Sequence, residues 1–286
     1  MPIVSVAICV RNGERLIKGC LESLLSQTFK DFEIILVDDA SSDRTLEIIN
    51  AFHDDRIKCF KNKKCLGIAK SRNIAIKHSV GKYVFCTDAD CTVNKTWIEE
   101  GLHCFEASYI GVEGKLVYVS ENYQPTFSTA FMENRNGGHF MTGNVAYQKD
   151  IIEAIGGFNE KIKYLADREL GLKVTKFGKV CFNRNMISVH PLVIKTPSLL
   201  IRSASRIESR VYLFKKFKDK TCISWRVMSP FNLAKILFPA LILLSLFANR
   251  FKSREDYKLL PYTYLFALLE RFHIWKACVK YKVFLI

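Results

Sequence analysis

The sequence predicts an α/β fold built on a mainly parallel β-sheet with helices on both faces. Over residues 1–90, short continuous apolar runs alternate with segments whose apolar residues recur at helical spacing. Continuous apolar runs are typical of parallel strands, because helices cover both faces of such a sheet. With 286 residues and a hydrophobic fraction of 49%, the chain can bury a sizeable core.

The elements of the first 90 residues follow from these patterns. The predicted strands are Ile3–Val10, Glu33–Val37, Tyr83–Cys86 and, from a less regular run, Ile57–Phe60. Three helices are predicted from apolar residues at intervals of three or four. These are Leu16, Cys20, Leu21, Leu24 and Leu25 for the first, Leu46, Ile49 and Phe52 for the second, and Ile68, Ala69, Ala75 and Ile76 for the third.

Residues 91–195 are less regular, and fewer elements are predicted there. Trp97, Ile98 and Leu102 indicate a helix, and Tyr109–Ser120 an extended segment. Glycine pairs at 137–138 and 156–157 indicate turns. The last elements are a helix marked by Leu170, Val174 and Phe177, with Asp167 near its start, and a closing strand pair, Val180–Phe182 and Met186–Val189.

Polar loops follow the predicted strands at Arg11–Glu14, Asp38–Asp43 and Asp88–Cys91. Parallel sheets bind ligands beyond the carboxyl ends of their strands, so we expect these loops to share one edge. The chain lacks both the Gly-x-Gly-x-x-Gly fingerprint and a Walker-type phosphate loop. Phosphates would then be held by a metal and by side chains.

Asp88 and Asp90 come directly after the apolar strand Tyr83–Cys86. Mg²⁺ and Mn²⁺ prefer oxygen ligands and commonly combine carboxylates with substrate phosphates. This Asp-x-Asp therefore indicates a metal-diphosphate site, although an isolated one is more often a solvated turn.

The net charge of +15 is concentrated in residues 196–286, which hold 17 Lys/Arg and 5 Asp/Glu. This basic region contains two uncharged runs, Ile236–Ala248 and Leu259–Leu269, both shorter than the roughly 20 apolar residues of a spanning helix. Lysines beside apolar helices attract anionic lipid headgroups. We therefore expect interfacial or re-entrant membrane helices, with a core helical hairpin as the alternative. No nucleic acid partner is expected, because the charge lies beside apolar runs rather than on base-stacking surfaces.

Ten cysteines are dispersed along the chain without a Cys-x-x-Cys pair, as expected for reduced thiols in a cytosolic protein. The N-terminus lacks the basic region and cleavage site of a signal peptide. We therefore expect the protein at the cytoplasmic face of the cell membrane.

Seven short motifs occur in a fixed order and are followed by His190. They are Val4–Asn12, Leu25–Phe29, Ile35–Asp43, Gly67–Asn73, Gly81–Asp90, Gly156–Phe158 and Ala166–Leu170. Together they resemble glycosyltransferase family 2 over about residues 1–195, and the C-terminal region 196–286 lies outside the resemblance. It implies the GT-A fold, a nucleotide-diphosphosugar donor (UDP- or GDP-linked), a divalent metal (Mg²⁺ or Mn²⁺) and inversion at the anomeric carbon.

The resemblance also implies roles for individual residues. Asp39 matches the carboxylate that accepts a hydrogen bond from the base, Arg72 lies near the diphosphate, and Asp90 binds the metal with Asp88 near the metal or the ribose. The implied nucleotide-sugar contacts are Cys9, Val10, Arg11, Asn12, Glu14, Asp39, Arg72, Asp88 and His190. A satisfied core histidine is the alternative interpretation of His190.

Asp167 is the implied catalytic base, which deprotonates the acceptor hydroxyl. Relatives usually carry an acidic residue one position earlier, where this chain has Ala166, and a helix N-cap is the alternative role of Asp167. Gly157, Phe158 and Glu169 are implied on the acceptor side, although Glu169 could instead brace its helix. The Gln-x-x-Arg-Trp motif of processive synthases is absent, which favours transfer of a single sugar.

The sequence thus predicts an inverting, metal-dependent glycosyltransferase acting on a lipid-linked or glycan acceptor close to the membrane. Two alternatives stay open at this point. One is a degenerate transferase that binds nucleotide without turnover. The other is a regulatory α/β module such as a receiver domain, whose acidic spacing Asp38, Asp39 and Asp88 mimic.

Overall fold

The computed structural model describes residues 1–119, 126–129, 133–218 and 251–283. These residues form two compact units. Unit 1 comprises residues 1–119, 133–161 and 166–191. Unit 2 comprises residues 126–129, 162–165, 192–218 and 251–283.

Unit 1 is built on one eight-stranded sheet with the order β3-β2-β1-β4-β7-β6-β8-β5. The strands are β1 (Val4–Val10), β2 (Phe32–Asp38), β3 (Ile57–Lys61), β4 (Tyr83–Cys86), β5 (Thr92–Val93), β6 (Gly111–Tyr118), β7 (Val145–Gln148) and β8 (Val180–His190). Strands β3, β2, β1 and β4 run parallel, as do β6 and β8. The pairs β4–β7, β6–β7 and β5–β8 are antiparallel. The prediction of an α/β fold with a mainly parallel sheet is confirmed.

Helices cover both faces of this sheet, which explains the continuous apolar strands: all seven residues of β2 are buried. The helices are α1 (Ile17–Leu25), α2 (Thr45–Asn50), α3 (Ile68–His78), α4 (Trp97–Glu106), α5 (Lys149–Ala154) and α6 (Ala166–Val174). Leu21 and Leu24 of α1 pack in the same core as Trp97 of α4. The four helices predicted before residue 107 are confirmed, as is the helix that begins near Asp167.

The predicted closing strand pair is wrong, because residues 180–190 form the single strand β8. Its register against β6 shifts between Gly114 and Lys115. The residues of β8 at this shift are the polar ones between the two apolar runs, which is why the sequence suggested two strands. Asn144 occupies the shift: its Nδ2 donates to the carbonyl oxygens of Lys115 and Met186, both over 2.8 Å. Strands β5 and β7 were not predicted. Phe177, expected on the core stripe of α6, lies beyond the helix and is exposed.

Unit 2 contains four helices in its described part. They are α7 (Pro197–Ser203), α8 (Arg206–Phe217), α9 (Arg254–Lys258) and α10 (Leu260–Tyr281). Ile207 and Val211 of α8 pack against Ile274 and Ala277 of α10. The fully buried Asp256 accepts hydrogen bonds from the backbone N–H groups of residues 128, 252 and 253, so one carboxylate joins two segments of unit 2, residues 126–129 and the start of α9.

Within the described residues, no helix combines the length and the apolar character needed to cross a membrane. The run Ile236–Ala248 lies outside the described residues, whereas residues 260–269 of the second run belong to α10. All nine cysteines of the described residues are free thiols.

Candidate active site

The candidate site is a cleft of about 300 Å³ at the carboxyl ends of β1 and β4. The chain continues from β1 to one side of the sheet through β2 and β3, and β4 returns to the other side of β1. Such a reversal of strand order opens a crevice between the loops of the two strands. Six residues that the sequence assigns to the site line it: Cys9, Val10, Arg11, Asn12, Asp88 and Asp90, together with Gly13, Leu16, Ile68 and Ala89.

The loop after β1 is fastened to the loop after β2. Asn12 has a left-handed backbone (φ 52°), and its Oδ1 accepts the N–H of Ser42 over 2.9 Å. Glu14 is not among the lining residues. Its carboxylate accepts the N–H of Arg44 over 3.1 Å, at the start of α2. Glu14 therefore braces the loop in this structure, and its expected nucleotide contact stays a prediction.

Asp39 holds the loop that leads into α3. Its Oδ1 accepts the N–H of Leu66 over 2.7 Å, and its Oδ2 accepts the N–H of Gly67 over 2.9 Å. Asn62 Nδ2 also donates to Oδ1 over 2.9 Å. Burial opposes ionisation of this carboxylate, but these donors hold its pKa below the usual value. Asp39 is thus an anion at neutral pH, and its position fixes the start of α3.

Arg11 and Cys65 connect this loop to the cleft. Arg11 Nη1 lies 3.0 Å from the Sγ of Cys65, which in turn lies 3.3 Å from Asp39 Oδ2. The chain Arg11–Cys65–Asp39 lies at the end of β1 and β2, where the sequence predicts base recognition. Cys65 was not singled out by the sequence analysis, because an isolated cysteine carries no local signal.

Arg72 of α3 reaches the carboxylate after β4. Its Nη2 donates to Asp88 Oδ1 over 2.7 Å, and only 12% of the arginine side chain is exposed. Burial disfavours the charge of Arg72, but Asp88 offsets this and the pKa of Arg72 is raised. A buried guanidinium beside the cleft offers further N–H groups to phosphate oxygens.

Asp90 meets His190, which ends β8. Nε2 of His190 lies 3.1 Å from Asp90 Oδ2, and Nδ1 lies 2.8 Å from the carbonyl oxygen of Pro191. Burial opposes the charge on both side chains. Their mutual hydrogen bond nevertheless lowers the pKa of Asp90 and raises that of His190. Both ring nitrogens are thus partnered, as in a satisfied core histidine, and one of the partners is the candidate metal ligand Asp90.

These two side chains fit a divalent cation. Asp90 offers a carboxylate oxygen and His190 an imidazole Nε2, and the Pro191 carbonyl orients the ring through Nδ1, as second-shell partners of metal-bound histidines do. Cys91 lies close enough to contribute a third atom. Burial raises the pKa of its thiol, however, and only a thiolate is a strong metal ligand. The fitting donor set is thus Asp90 and His190. The predicted second ligand, Asp88, is instead turned to Arg72.

Asp167 lies in the first turn of α6, within electrostatic range of Arg72 and Asp88. Its Oδ1 accepts the N–H of Arg168 over 2.8 Å. Burial raises the pKa of Asp167, although the Arg72 charge opposes this shift. A carboxylate with a raised pKa is a stronger base than an ordinary aspartate, as a general base requires. The helix-start contact and the base role are both compatible with this position.

The backbone at Gly157 and Phe158 helps to position α3 through Asn73. Asn73 Oδ1 accepts the N–H of Phe158 over 2.8 Å, and Asn73 Nδ2 donates to the Phe158 carbonyl over 2.9 Å. Phe158 is only 2% exposed, and its ring lies 5.6 Å from the guanidinium carbon of Arg72. The ring is covered, so Phe158 acts in this structure as a support for Arg72, and its acceptor-side role stays a prediction. The sequence analysis gave Asn73 no role, although Asn73 directly follows Arg72 in the motif Gly67–Asn73 and that position could have pointed to it.

Glu169 is fully buried on α6 and accepts a hydrogen bond from Asn159 Nδ2 over 3.2 Å. It is also 3.9 Å from Lys173, one turn further along the helix. Of the two roles considered for Glu169, the bracing of its helix agrees with this burial, and contact with an acceptor does not.

The family model for glycosyl transferase family 2 matches residues 5–158, slightly more than half of the chain. Among curated relatives, the UDP-Glc:alpha-D-GlcNAc-diphosphoundecaprenol beta-1,3-glucosyltransferase WfaP of Escherichia coli is 32% identical over 194 residues. The match covers 66% of this chain and 77% of that protein. Glycosyltransferase AglE of Haloferax volcanii is 26% identical over 205 residues, which cover 67% of each chain.

Two solved structures share the fold. TarS of S. aureus in complex with UDP-GlcNAc gives a TM-score of 0.61 at 19% identity, covering 99% of this chain and 92% of that one. The mannosyltransferase PcManGT of Pyrobaculum calidifontis, in complex with GDP-Man and Mn²⁺, gives 0.68 at 15% identity, covering 96% and 87%. At these identities the likeness establishes the fold, and it agrees with the fold class expected from the sequence.

Proposed function

The chain belongs to the glycosyl transferase family 2, and from this premise we propose that it transfers one sugar, with inversion, from a nucleotide-diphosphosugar to an acceptor hydroxyl. That the chain is a glycosyltransferase with a nucleotide-sugar donor follows from its family and relatives. The receiver-like alternative is wrong for the same reason. The inverting chemistry, the metal, the base and the acceptor are the proposed parts.

One observation carries the proposal. Two oppositely charged pairs, Arg72 with Asp88 and His190 with Asp90, meet at the carboxyl edge of the sheet beside the cleft. A nucleotide diphosphate needs both phosphate-binding cations and metal-binding donors, and this edge supplies them together. The UDP-GlcNAc and the GDP-Man with Mn²⁺ in the two structural neighbours support the same ligand class.

Asp90 and His190 would hold the divalent cation, with Mg²⁺ or Mn²⁺ as the candidates. Such a cation, when bound, stabilises the charge that develops on the departing nucleoside diphosphate. Arg72 contributes its own positive charge to the diphosphate. Asp88 keeps the guanidinium oriented and compensates its burial when no phosphate is bound.

Asp167 is the proposed base. Its carboxylate removes the proton of the acceptor hydroxyl as that oxygen bonds to the anomeric carbon of the donor. The anomeric carbon–phosphate oxygen bond breaks at the same time, and its electron pair leaves with the diphosphate. Attack on the face opposite the leaving group inverts the configuration, so no covalent bond to the protein is needed. The raised pKa of Asp167 favours this proton transfer.

We further propose a lipid-linked acceptor at the cytoplasmic face of the membrane. The E. coli relative is named for a diphosphoundecaprenol-linked acceptor, which supports this class. The 17 Lys/Arg against 5 Asp/Glu in residues 196–286 would attract an anionic membrane surface.

The test is a transfer assay of the full chain with a panel of UDP-, GDP- and dTDP-sugars, a lipid-diphosphate-linked sugar as acceptor, and Mn²⁺, Mg²⁺ or EDTA. We expect turnover with one nucleotide class, its loss in EDTA, and an inverted anomeric configuration in the product by NMR. Turnover undiminished in EDTA would contradict the metal, and retained configuration would contradict the single-displacement mechanism. Donor binding without turnover or hydrolysis under all conditions would instead identify a degenerate transferase.

A further inference from the structure

Helix α10 carries a second apolar face that the fold does not use. Tyr262, Leu265, Phe272, Trp275 and Val279 are 38%, 41%, 56%, 59% and 82% exposed in the described structure. They recur at intervals of three, four or seven residues, which places them along one side of a helix. We call these five residues the outer stripe.

The outer stripe is distinct from the packing face of the same helix. Ile274 and Ala277 face α8 and are 3% and 0% exposed, packed against Ile207 and Val211. The core of this part of unit 2 is therefore built without the outer stripe. Exposure of three aromatic side chains in one row is unusual for a surface that contacts only water.

Lysines gather at the end of the outer stripe. Helices α8 and α10 run side by side, and Lys215 Nζ lies 3.4 Å from the carbonyl oxygen of Lys282. The cluster comprises Lys215, Lys216, Lys218, Lys280 and Lys282. Residues 211–218 and 274–283 contain no acidic residue, and the nearby Glu208 of α8 pairs with Lys276 and not with a member of this cluster. We call these five residues the lysine cluster.

We propose that the outer stripe and the lysine cluster together dock on an anionic phospholipid surface, with α10 lying in the plane of the interface. Trp, Tyr and Phe favour the boundary between headgroups and acyl chains, and lysines at the edge of an apolar face bind anionic headgroups. The charge complementarity selects this partner over a neutral apolar surface. The inference rests on the membrane-proximal part of the proposed function and assigns that contact to named residues.

Trp275 makes the contact directly measurable. Trp97 is fully buried, so substitution of Trp225 by Phe leaves Trp275 as the exposed indole among the described tryptophans. With the full chain carrying W225F, we expect a blue shift and quenching by brominated lipid on adding phosphatidylcholine vesicles that contain 30% phosphatidylglycerol. Vesicles of phosphatidylcholine alone should bind at least about tenfold more weakly, because each lysine near the surface contributes about 1 kcal/mol.

Substitution separates the two parts of the surface. Phe272→Ser with Leu265→Ser should lower partition into the anionic vesicles at least about tenfold, since two large apolar side chains no longer insert. Lys280→Glu with Lys282→Glu should do the same on anionic vesicles and change little on neutral ones. Phe177→Ser is the matched control. The exposed fraction of Phe177, 57%, is nearly equal to that of Phe272, but Phe177 belongs to unit 1. It should leave partition unchanged.

Three outcomes overturn the proposal. Equal partition of wild type and the stripe variant would show that the outer stripe does not insert. Self-association in sedimentation without vesicles, lost in the stripe variant, would assign the face to a second copy. If iodide fails to quench Trp275 in the monomer without vesicles, another part of the chain covers the outer stripe. Donor hydrolysis without lipid should be equal in wild type and the stripe variant, and its absence from both would count against the proposed function alone.

Discussion

His190 Nε2 lies 3.1 Å from Asp90 Oδ2, which joins the end of β8 to the loop after β4. The neighbouring carboxylate of the same motif, Asp88, is turned instead to Arg72 at 2.7 Å. The two carboxylates of one Asp-x-Asp therefore have different cationic partners. We infer different roles: Asp90 as the metal ligand and Asp88 as the residue that orients Arg72.

The first prediction separates these roles. Asp90→Asn and His190→Ala should each weaken Mn²⁺ affinity at least about 100-fold, since loss of even an outer-shell partner costs 10–100-fold. The measurement is a Mn²⁺ titration followed by electron paramagnetic resonance, in the presence of the nucleoside diphosphate. Asp150→Asn, which removes an exposed carboxylate at the start of α5, should bind Mn²⁺ as wild type does. Unchanged affinity in Asp90→Asn would remove Asp90 from the metal site.

The second prediction concerns activity and stability at Asp167. Asp167→Asn should abolish transfer but leave donor binding within about twofold, because the base acts only on the acceptor. The same variant should be at least as stable as wild type at pH 7.5, since the raised pKa means that the folded environment disfavours the charge. Turnover assays, isothermal titration with donor and urea unfolding test these three outcomes. A clear loss of stability would indicate a structural carboxylate.

The contribution of Asp167 to the free energy of unfolding depends on pH with a defined sign. A raised folded pKa means that the folded state binds more protons than the unfolded state between the two pKa values. The stability difference between Asp167→Asn and wild type should therefore shrink as the pH falls through the raised folded pKa, and it should be lost by about pH 4, the ordinary aspartate value of the unfolded state. Transfer by wild type should fall on the acid side at a pH above that ordinary value. An acid limb at or below about pH 4 would contradict Asp167 as the base.

The fold was predictable where local pattern and topology agree. Strands β1, β2 and β4 are continuous apolar runs because both their faces are covered, and helix spacing between them is regular. Strand β7 was not predicted, because its run, Val145–Gln148, is only four residues long and it enters the sheet antiparallel between β4 and β6. The register shift at Gly114 and Lys115 likewise has no local signature, since it depends on Asn144 filling the gap.

The carboxyl-edge residues were predictable for the same topological reason, but their partners were not. The cationic side chain that pairs with Asp88 or Asp90 depends on where β8 ends and on how α3 is rotated. Neither can be deduced from the residues around the Asp-x-Asp motif. Glu14 and Phe158 were assigned contacts from their motifs, whereas the fold uses one to hold the start of α2 and buries the other under Arg72. Both side chains shape the site without lining the cleft.

The third prediction tests Asp39 as a positioning residue. Asp39→Asn should destabilise the protein by about 1–3 kcal/mol, because an amide group would face the N–H of Gly67 where a carboxylate oxygen now accepts it. The pKa of Asp39 is lowered, so its stabilisation is present above the usual aspartate pKa and is lost as the pH falls through the lowered folded value. Urea unfolding at pH 7 and at acid pH should show the difference from wild type shrinking towards acid. Asp55→Asn, at an exposed aspartate, should show no such difference.

The fourth prediction uses two adjacent glycines with similar backbones but different surroundings. Gly156 (φ 77°) has no atom within 4 Å of the position a Cβ would take, whereas at Gly157 (φ 66°) that position lies 2.6 Å from Asn73 Oδ1. Gly156→Ala should cost only the left-handed strain of about 1–2 kcal/mol. Gly157→Ala should cost this and about 1 kcal/mol more for each of the two Asn73–Phe158 hydrogen bonds it disrupts.

The double variant Gly157→Ala with Asn73→Ala distinguishes the steric clash from backbone strain. If the clash with Asn73 is the cause, adding Gly157→Ala to Asn73→Ala should cost no more than Gly156→Ala costs in wild type. Because Asn73 directly follows Arg72 on α3, Gly157→Ala should also weaken donor binding, whereas Gly156→Ala should not. Urea unfolding and isothermal titration with the nucleoside diphosphate measure both effects. If Gly156→Ala and Gly157→Ala lose equal stability, the close approach of Asn73 to Gly157 does not position α3.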